Sequence, residues 1–155
     1  MPGTAVNSSV RDVNMRVLAV DVGERRIGLA ISDTSRTLAR PLDTLTVGSA
    51  ADAIDRVADA IARLAAEEDG LDGVVVGLPM HLDGSPTDAT PRVIAFITAL
   101  KRRTSLAIVT EDERLTSREA ESRLALNERD WRRRKRQLDA AAAAVILQDY
   151  LDRKR

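Results

Sequence analysis

The chain has 155 residues, of which 44% are hydrophobic and 31% charged, and its 24 basic and 24 acidic residues cancel. We expect one compact domain at residues 15–155, after a flexible polar tail at residues 1–14. There is no cysteine, and His81 is the one histidine, which excludes disulfides, thiolate metal sites and His-rich zinc sites. A bound metal would need oxygen ligands, which favours Mg²⁺ or Mn²⁺.

The sequence also argues against two kinds of environment and partner. No apolar stretch approaches the roughly 20 residues of a membrane span, and the N-terminus lacks the apolar core of a signal peptide, so we expect a cytosolic protein. Aromatic residues make up 2% of the chain, which disfavours single-strand binding by base stacking. The sequence leaves open whether the natural start is Met1 or Met15.

The first part of the chain predicts three strands. Residues 16–22 form a nearly continuous apolar run, typical of a strand buried on both faces, and Gly23 ends it. Residues 27–32 and 37–47 follow as the second and third strands. The tight spacing of the first two predicts a hairpin, and Pro41 places the third strand near an edge of the sheet.

The remainder alternates helices and strands, beginning with apolar residues at helical spacing from Ser49 to about Glu68. The later predicted elements are a strand at 73–78, a helix with Thr90 as N-cap and Pro91 in its first turn, a strand at 106–110, a helix at 116–126, a polar connection at 127–137 and a helix at 139–152. The order βββαβαβαα predicts an α/β fold, a mixed five-stranded sheet with helices on both faces.

Acidic residues recur near one edge of this predicted sheet. Asp21 lies near the end of the first strand, inside an otherwise apolar run, where a buried carboxylate needs either hydrogen bonds from the Gly23 turn or a metal. In the run from Glu111 to Glu113 the outer two residues share one side of the strand and Asp112 faces the other. The carboxyl ends of parallel strands meet at one rim, so these acids should lie near Asp21. A solvated charge run, partly neutralised by Arg114, is the simpler alternative.

Asp139 starts the last predicted helix, where the helix dipole alone would stabilise an acid. It shares a stripe with Ala143, Ile146 and Tyr150, and because that stripe is mostly apolar we expect Asp139 to face the sheet. The small residues 140–144 would let the helix approach another backbone closely. Acids from a strand, a strand end and a helix would then converge on divalent metal. Two such ions about 3.5–4 Å apart can activate water and stabilise the leaving oxygen in phosphodiester cleavage.

Four motifs resemble those of the YqgF/RuvX family in the RNase H-like superfamily. They are Asp21-x-Gly23-x-x-x-x-Gly28-x-Ala30-x-Ser32-Asp33; Val76-Gly77-Leu78-Pro79 with Asp83-Gly84-Ser85; Asp112-Glu113-Arg114-Leu115-Thr116; and Arg134-Lys135-x-x-x-Asp139-x-x-Ala142-Ala143 leading to Ile146-Leu147-Gln148-x-Tyr150-Leu151. They occur in the family's order over about residues 15 to 153. The resemblance implies an RNase H-like fold.

The resemblance also implies a metal-dependent nuclease that trims the 5′ end of precursor 16S ribosomal RNA and is related to Holliday-junction resolvases. By position, Asp21, Glu113 and Asp139 are the implied catalytic carboxylates and the ligands of two Mg²⁺ or Mn²⁺ ions. Glu111 has no counterpart in the motif. Glu24 departs from it, since a small or polar residue is usual after the glycine. The roles of these two acids are left open.

A basic segment precedes Asp139, with six basic residues among the eight at 129–136. Such a run is often only solvated, but beside an acidic metal site it favours salt-dependent contact with a phosphate backbone. The residues assigned to nucleic-acid binding are Arg114, Arg132, Arg133, Arg134, Lys135 and Arg136. Trp131 would stack on a base or anchor the loop, and His81, in a turn, has no assigned role.

Three functions of different classes are compatible with these patterns. The leading one is a Mg²⁺- or Mn²⁺-dependent phosphodiesterase acting on structured RNA or branched DNA. The second is an actin-like or sugar-kinase-like phosphotransferase, whose first phosphate loop resembles Asp21-x-Gly23, although such enzymes enclose ATP between two domains. The third is a non-catalytic nucleic-acid or ribosome-assembly module. The sequence does not decide between RNA and DNA, between endo- and exonuclease action, or between monomer and dimer.

Overall fold

The computed structural model describes residues 14–112 and 131–154. Its elements are β1 (Arg16–Val22), β2 (Arg26–Ser32), β3 (Ala39–Thr46), α1 (Ala50–Ala66), β4 (Leu71–Leu78), α2 (Thr90–Lys101), β5 (Ala107–Asp112) and α3 (Trp131–Lys154). The strands form one sheet in the order β3-β2-β1-β4-β5. Strands β1, β2 and β3 pair antiparallel, whereas β4 and β5 continue the sheet in parallel with β1. The predicted mixed sheet, the first hairpin and the edge position of the Pro41 strand are confirmed. The helix predicted at 116–126 lies outside the described residues.

Strand β1 is buried on both faces and divides the core in two. Leu18 and Val20 pack in one apolar cluster with residues of α1 and α2. Val17 and Ala19 point to the opposite face, into a second cluster with residues of α3. Because successive side chains of a strand alternate between faces, a continuous apolar run is what this central position requires. Helices therefore cover both faces, as predicted.

The first two helices begin close to the predicted residues, but the two starts are built differently. Ser49 caps α1 through its side-chain oxygen, which accepts a hydrogen bond from the Asp52 backbone N–H at 3.0 Å. The predicted N-cap Thr90 is wrong, since the cap position of α2 is Ala89. The Thr90 hydroxyl instead donates to the Pro79 carbonyl at 2.6 Å, which fastens the start of α2 to the end of β4.

Helix α3 begins at Trp131, so the polar connection predicted at 127–137 is wrong for residues 131–137. Arginine, lysine and glutamine are good helix formers, but this stretch carries no apolar stripe from which periodicity could be recognised. Asp139 is therefore an interior residue of the helix, and stabilisation by the dipole of a first turn does not explain it. Within the described ranges, no helix has the length and apolar character of a membrane span.

Side-chain hydrogen bonds order the turn between β2 and β3. The Asp33 carboxylate accepts hydrogen bonds from the backbone N–H of Thr37 at 2.8 Å and of Leu38 at 3.3 Å. It also accepts one from the Ser35 hydroxyl at 2.9 Å. These bonds, the one from Thr37 foremost, hold the pKa of Asp33 below its ordinary value of 3.8.

We expect Ile146→Ala to destabilise the protein by about 2–5 kcal/mol, because Ile146 is fully buried where α3 packs on the sheet. Ile94, also helical, is 51% exposed, and Ile94→Ala serves as the matched control with a change within about 0.5 kcal/mol. Urea unfolding of both variants checks this. Equal losses in the two would contradict the assignment of Ile146 to the core.

The Asp33 turn should make a small contribution to stability that depends on pH. Its pKa is lower in the folded chain, so the contribution is present above the unfolded pKa and is lost as pH falls through the folded one. The stability difference between wild type and Asp33→Ala should therefore shrink as pH falls below the ordinary pKa of 3.8. A carboxyl-carbon NMR titration should place the Asp33 midpoint below 3.8, and Ser35→Ala should raise it. A midpoint at or above the ordinary value would refute the assignment.

Candidate active site

Asp21 is the last residue but one of β1, and it lies half-buried on the face that α3 covers. Two observations fix that face. Val17 and Ala19, two and four residues earlier, belong to the cluster under α3. Asp21 also pairs directly with Gly28 of β2, and residues directly opposite in an antiparallel pair project to the same side.

The backbone of α3 lies directly on Gly28. A Cβ atom built on Gly28 would stand 2.0 Å from the Asp139 carbonyl oxygen and 3.1 Å from the Ala140 nitrogen. No side chain fits into that space, so the helix reaches the sheet only because this residue is a glycine. The close approach expected for the alanine-rich segment 140–144 is found here. It brings the Asp139 backbone onto the face from which Asp21 projects, one strand away.

Arg26 holds the Asp139 carboxylate. Its Nε donates to Asp139 Oδ2 at 2.8 Å, and each side chain is 28% exposed. Arg26 opens β2, and its carbonyl oxygen accepts a hydrogen bond from the Gly23 N–H at 2.9 Å, which closes the hairpin turn. Asp139 therefore faces the sheet, as expected. The sequence reasoning missed its partner, although Arg26 lies two residues before Gly28 and so on the same side of the pleat.

A cleft of about 350 Å³ opens beside this ion pair, and charged groups dominate its lining. The lining residues are Gly23, Glu24, Arg25, Arg26 and Asp139. Glu24, whose place after the glycine departs from the family pattern, is exposed at this cleft. Two carboxylates and two guanidinium groups thus share one small space, which suits a site that meets both cations and phosphates.

Glu111 differs from the solvated acid that a charge run normally indicates. It is 5% exposed, whereas Asp112 is exposed, so the predicted alternation of these two residues is confirmed. The Glu111 carboxylate forms an ion pair with Arg153 near the end of α3. A charge removed from water needs such a partner. Arg114, the cation that the sequence offers as a partner for an acid of this run, lies outside the described residues.

The strand register shows where Glu111 lies relative to Asp21. Val20 pairs with Val76, and Val76 with Thr110. These three residues form one row of paired positions across β1, β4 and β5. Asp21 and Glu111 each follow that row by one residue, on two strands that are separated by β4. The residue of β4 paired with Glu111 is Gly77, which places no side chain between the two acids.

None of the remaining predicted site residues has a described side chain. Glu113 and Arg114 lie outside the described residues, as do the side chains of Arg132, Arg133, Arg134, Lys135 and Arg136. His81 is exposed in a loop that its backbone N–H closes by donating to the Ser85 carbonyl at 2.8 Å. Within the described part of the chain no three acidic or histidine side chains are grouped closely enough for a metal. Of the predicted trio, Asp21 and Asp139 come from adjoining elements of one face.

Among solved structures, the chain resembles the RuvC protein of T. thermophilus in complex with a Holliday junction substrate. The TM-score is 0.53 at 14% sequence identity, and the match covers 90% of this chain and 96% of that one. At this identity the likeness concerns the fold alone. Together with the sheet order and the helices on both faces, it defines an α/β protein of the RNase H-like fold.

A family model described as "RuvX: Holliday junction resolvase" matches residues 15–153, and the chain belongs to this family. Three relatives carry the name "Putative pre-16S rRNA nuclease". The protein of Chloroflexus aggregans is 42% identical, over 90% of this chain and 94% of its own. That of Dechloromonas aromatica is 40% identical over 88% and 90%. That of Desulforudis audaxviator is 35% identical over 89% and 94%.

We expect Gly28→Ala to push α3 away from β2, because its new methyl group would overlap the Asp139 carbonyl. The free energy of unfolding should fall by at least about 1–3 kcal/mol, the usual cost of overpacking. Gly73→Ala is the matched control in β4, since its Cβ would meet the Ala107 carbonyl oxygen at 3.9 Å, an ordinary contact. Urea unfolding measures both. If Gly28→Ala were as stable as Gly73→Ala, the helix could not be seated as described.

Proposed function

We propose that this protein is a metal-dependent nuclease that hydrolyses phosphodiester bonds and processes the 5′ end of precursor 16S ribosomal RNA. Membership of the RuvX family and the name shared by its relatives support this proposal. The observation that carries it is the contact at Gly28, which brings the backbone of Asp139 beside the strand position of Asp21. The cytosolic location predicted from the sequence forms part of the proposal.

In this proposal Asp21, Glu113 and Asp139 are the catalytic carboxylates and hold the metal. Carboxylate oxygens are the ligands preferred by Mg²⁺ and Mn²⁺, and half-buried acids bind a cation more strongly than fully solvated ones. Asp139 already attracts one positive group, the Arg26 guanidinium, so the donor chemistry fits a cation at this position. Two divalent ions bound there would supply the charge that activates water and stabilises the leaving oxygen.

The arginines supply the complementary function of holding the substrate. Arg25 and Arg26 line the cleft beside Asp139, and guanidinium groups bind phosphate oxygens with two parallel hydrogen bonds. We assign the same role to Arg114 and to the basic run at 132–136, which precedes Asp139 along the chain. Contacts of this kind position a nucleic-acid backbone without reading its sequence, and they weaken as salt rises.

A second candidate substrate is a four-way DNA junction. The description of the family model and the substrate bound by the RuvC neighbour both favour it. Both substrates present the same phosphodiester bond, so the proposed carboxylates would act alike on either. The choice between them depends on the shape that the surface around the site accepts.

We expect Asp21→Asn and Asp139→Asn each to lower the cleavage rate at least about a hundredfold. Mutation of a residue that only hydrogen-bonds to a metal ligand already lowers metal affinity or activity about 10- to 100-fold. Asp59→Asn, on the exposed side of α1, is the matched control and should cleave like wild type. The assay uses a 5′-extended precursor 16S RNA and a four-way DNA junction, each with Mn²⁺ and with EDTA. Cleavage lost in both site variants and in EDTA is the expected result.

The substrate that wild type cleaves faster identifies the preferred nucleic acid. Equal faint products from wild type, Asp21→Asn and Asp139→Asn would come from a contaminant and would contradict the nuclease proposal. Salt-dependent binding of the RNA without cleavage would then favour the non-catalytic assembly module.

A further inference from the structure

The ion pair between Arg26 and Asp139 lies at the centre of the proposed site. Arg26 Nε and Asp139 Oδ2 are 2.8 Å apart, and both side chains are nearly three-quarters buried. The hydrogen bond from the Gly23 N–H to the Arg26 carbonyl fixes the backbone from which the arginine extends. A carboxylate proposed to bind metal is therefore already in contact with a cation belonging to the chain.

A guanidinium group and a divalent cation compete for the same carboxylate oxygens. Arginine cannot release a proton in a protein, so its positive charge is permanent. When metal binds Asp139, the guanidinium must leave the carboxylate or share that carboxylate with a second positive charge. Either event has a free-energy cost, because a partly buried ion pair is weakened and two cations are brought close together.

The surroundings give the displaced guanidinium a place to go. The adjoining cleft is lined by Glu24 and Arg25 as well as by the ion pair. Glu24 can accept hydrogen bonds from a guanidinium that has left Asp139. A phosphate of the substrate in the same cleft would offer the bidentate contact that arginine forms most readily.

We propose that Arg26 is a positioning residue that occupies the Asp139 carboxylate when metal is absent and thereby lowers the affinity of the site for divalent cations. It holds the carboxylate in place and is displaced by the metal. This inference rests on the proposed function, since it requires Asp139 to be a metal ligand. It adds a residue of the β1–β2 hairpin to the three carboxylates of the site.

The test is a calorimetric titration of the full chain with Mn²⁺ in the absence of nucleic acid. Arg26→Gln should bind Mn²⁺ about two- to fivefold more tightly than wild type, the factor expected for losing one partly exposed ion pair. Arg26→Lys, whose ammonium forms a weaker single contact, should tighten binding by a smaller factor. Arg103→Gln breaks a comparable pair with Asp55, at 2.7 Å, away from the site and should bind like wild type.

Tighter binding distinguishes competition from a merely structural role, because loss of structure would weaken metal binding. Circular dichroism establishes that each variant is folded, and Arg26→Lys keeps the test valid if Arg26→Gln does not fold. Unchanged or weaker Mn²⁺ binding by the folded variants would overturn the inference while leaving the nuclease proposal intact. If wild type bound no Mn²⁺, or if Asp139→Asn bound it as wild type does, the proposed metal site itself would be wrong.

Discussion

The contact between the backbone of α3 and Gly28 is the constraint on which the rest of the site depends. A helix normally lies on a sheet with side chains between the two backbones, whereas here the Asp139 carbonyl occupies the space where a Cβ atom would be. Ala143, which is fully buried one turn further along the helix, packs in the cluster with Val17 and Ala19 and extends this close approach. One missing side chain on β2 thus determines both the height of the helix above the sheet and the place of Asp139 beside Asp21.

Two ion pairs with opposite placement of acid and base then attach α3 to the sheet at two points along the helix. At Asp139 the helix supplies the acid and strand β2 the arginine, whereas at Arg153 the helix supplies the arginine and strand β5 the acid. Between them, the Gln148 side chain donates to the Thr37 carbonyl and accepts from the Ala39 N–H, both at 2.9 Å, and so pairs with the start of edge strand β3. Apolar packing holds the helix on the sheet, and these polar contacts set its rotation and register.

The sequence predicted the sheet well because its central strands are buried on both faces and therefore appear as unbroken apolar runs. It predicted the start of α1 from the apolar residues that recur at helical spacing after Ser49, and the structure shows Ser49 to be the side-chain cap. It failed at the start of α3, where a run of good helix formers has no apolar face to reveal the period. Thr90 was misassigned because its hydroxyl bonds the distant Pro79 carbonyl, a tertiary contact that no local pattern records.

The same distinction applies to the site. Asp21 and Asp139 were identified because acids stand out in apolar surroundings, and the family motifs include both. The cations that compensate Asp139 and Glu111 were not identified, since Arg26 and Arg153 act on carboxylates far away in the chain and nothing in their own neighbourhoods marks them. A charge pair is a property of two positions, and only the fold brings them together.

The compensation of these acids within the chain has a consequence for how the site can work. Buried or half-buried carboxylates without partners would repel one another and would oppose folding. Arg26 and Arg153 neutralise Asp139 and Glu111, so these two acids have partners within the chain. A metal that enters such a preformed site would gain its full binding free energy less the cost of displacing the resident cation. A metal that folds its own site would also have to offset the entropy lost when the chain becomes ordered. If Asp139 binds metal as proposed, its ion pair with Arg26 would make metal binding and folding separable events.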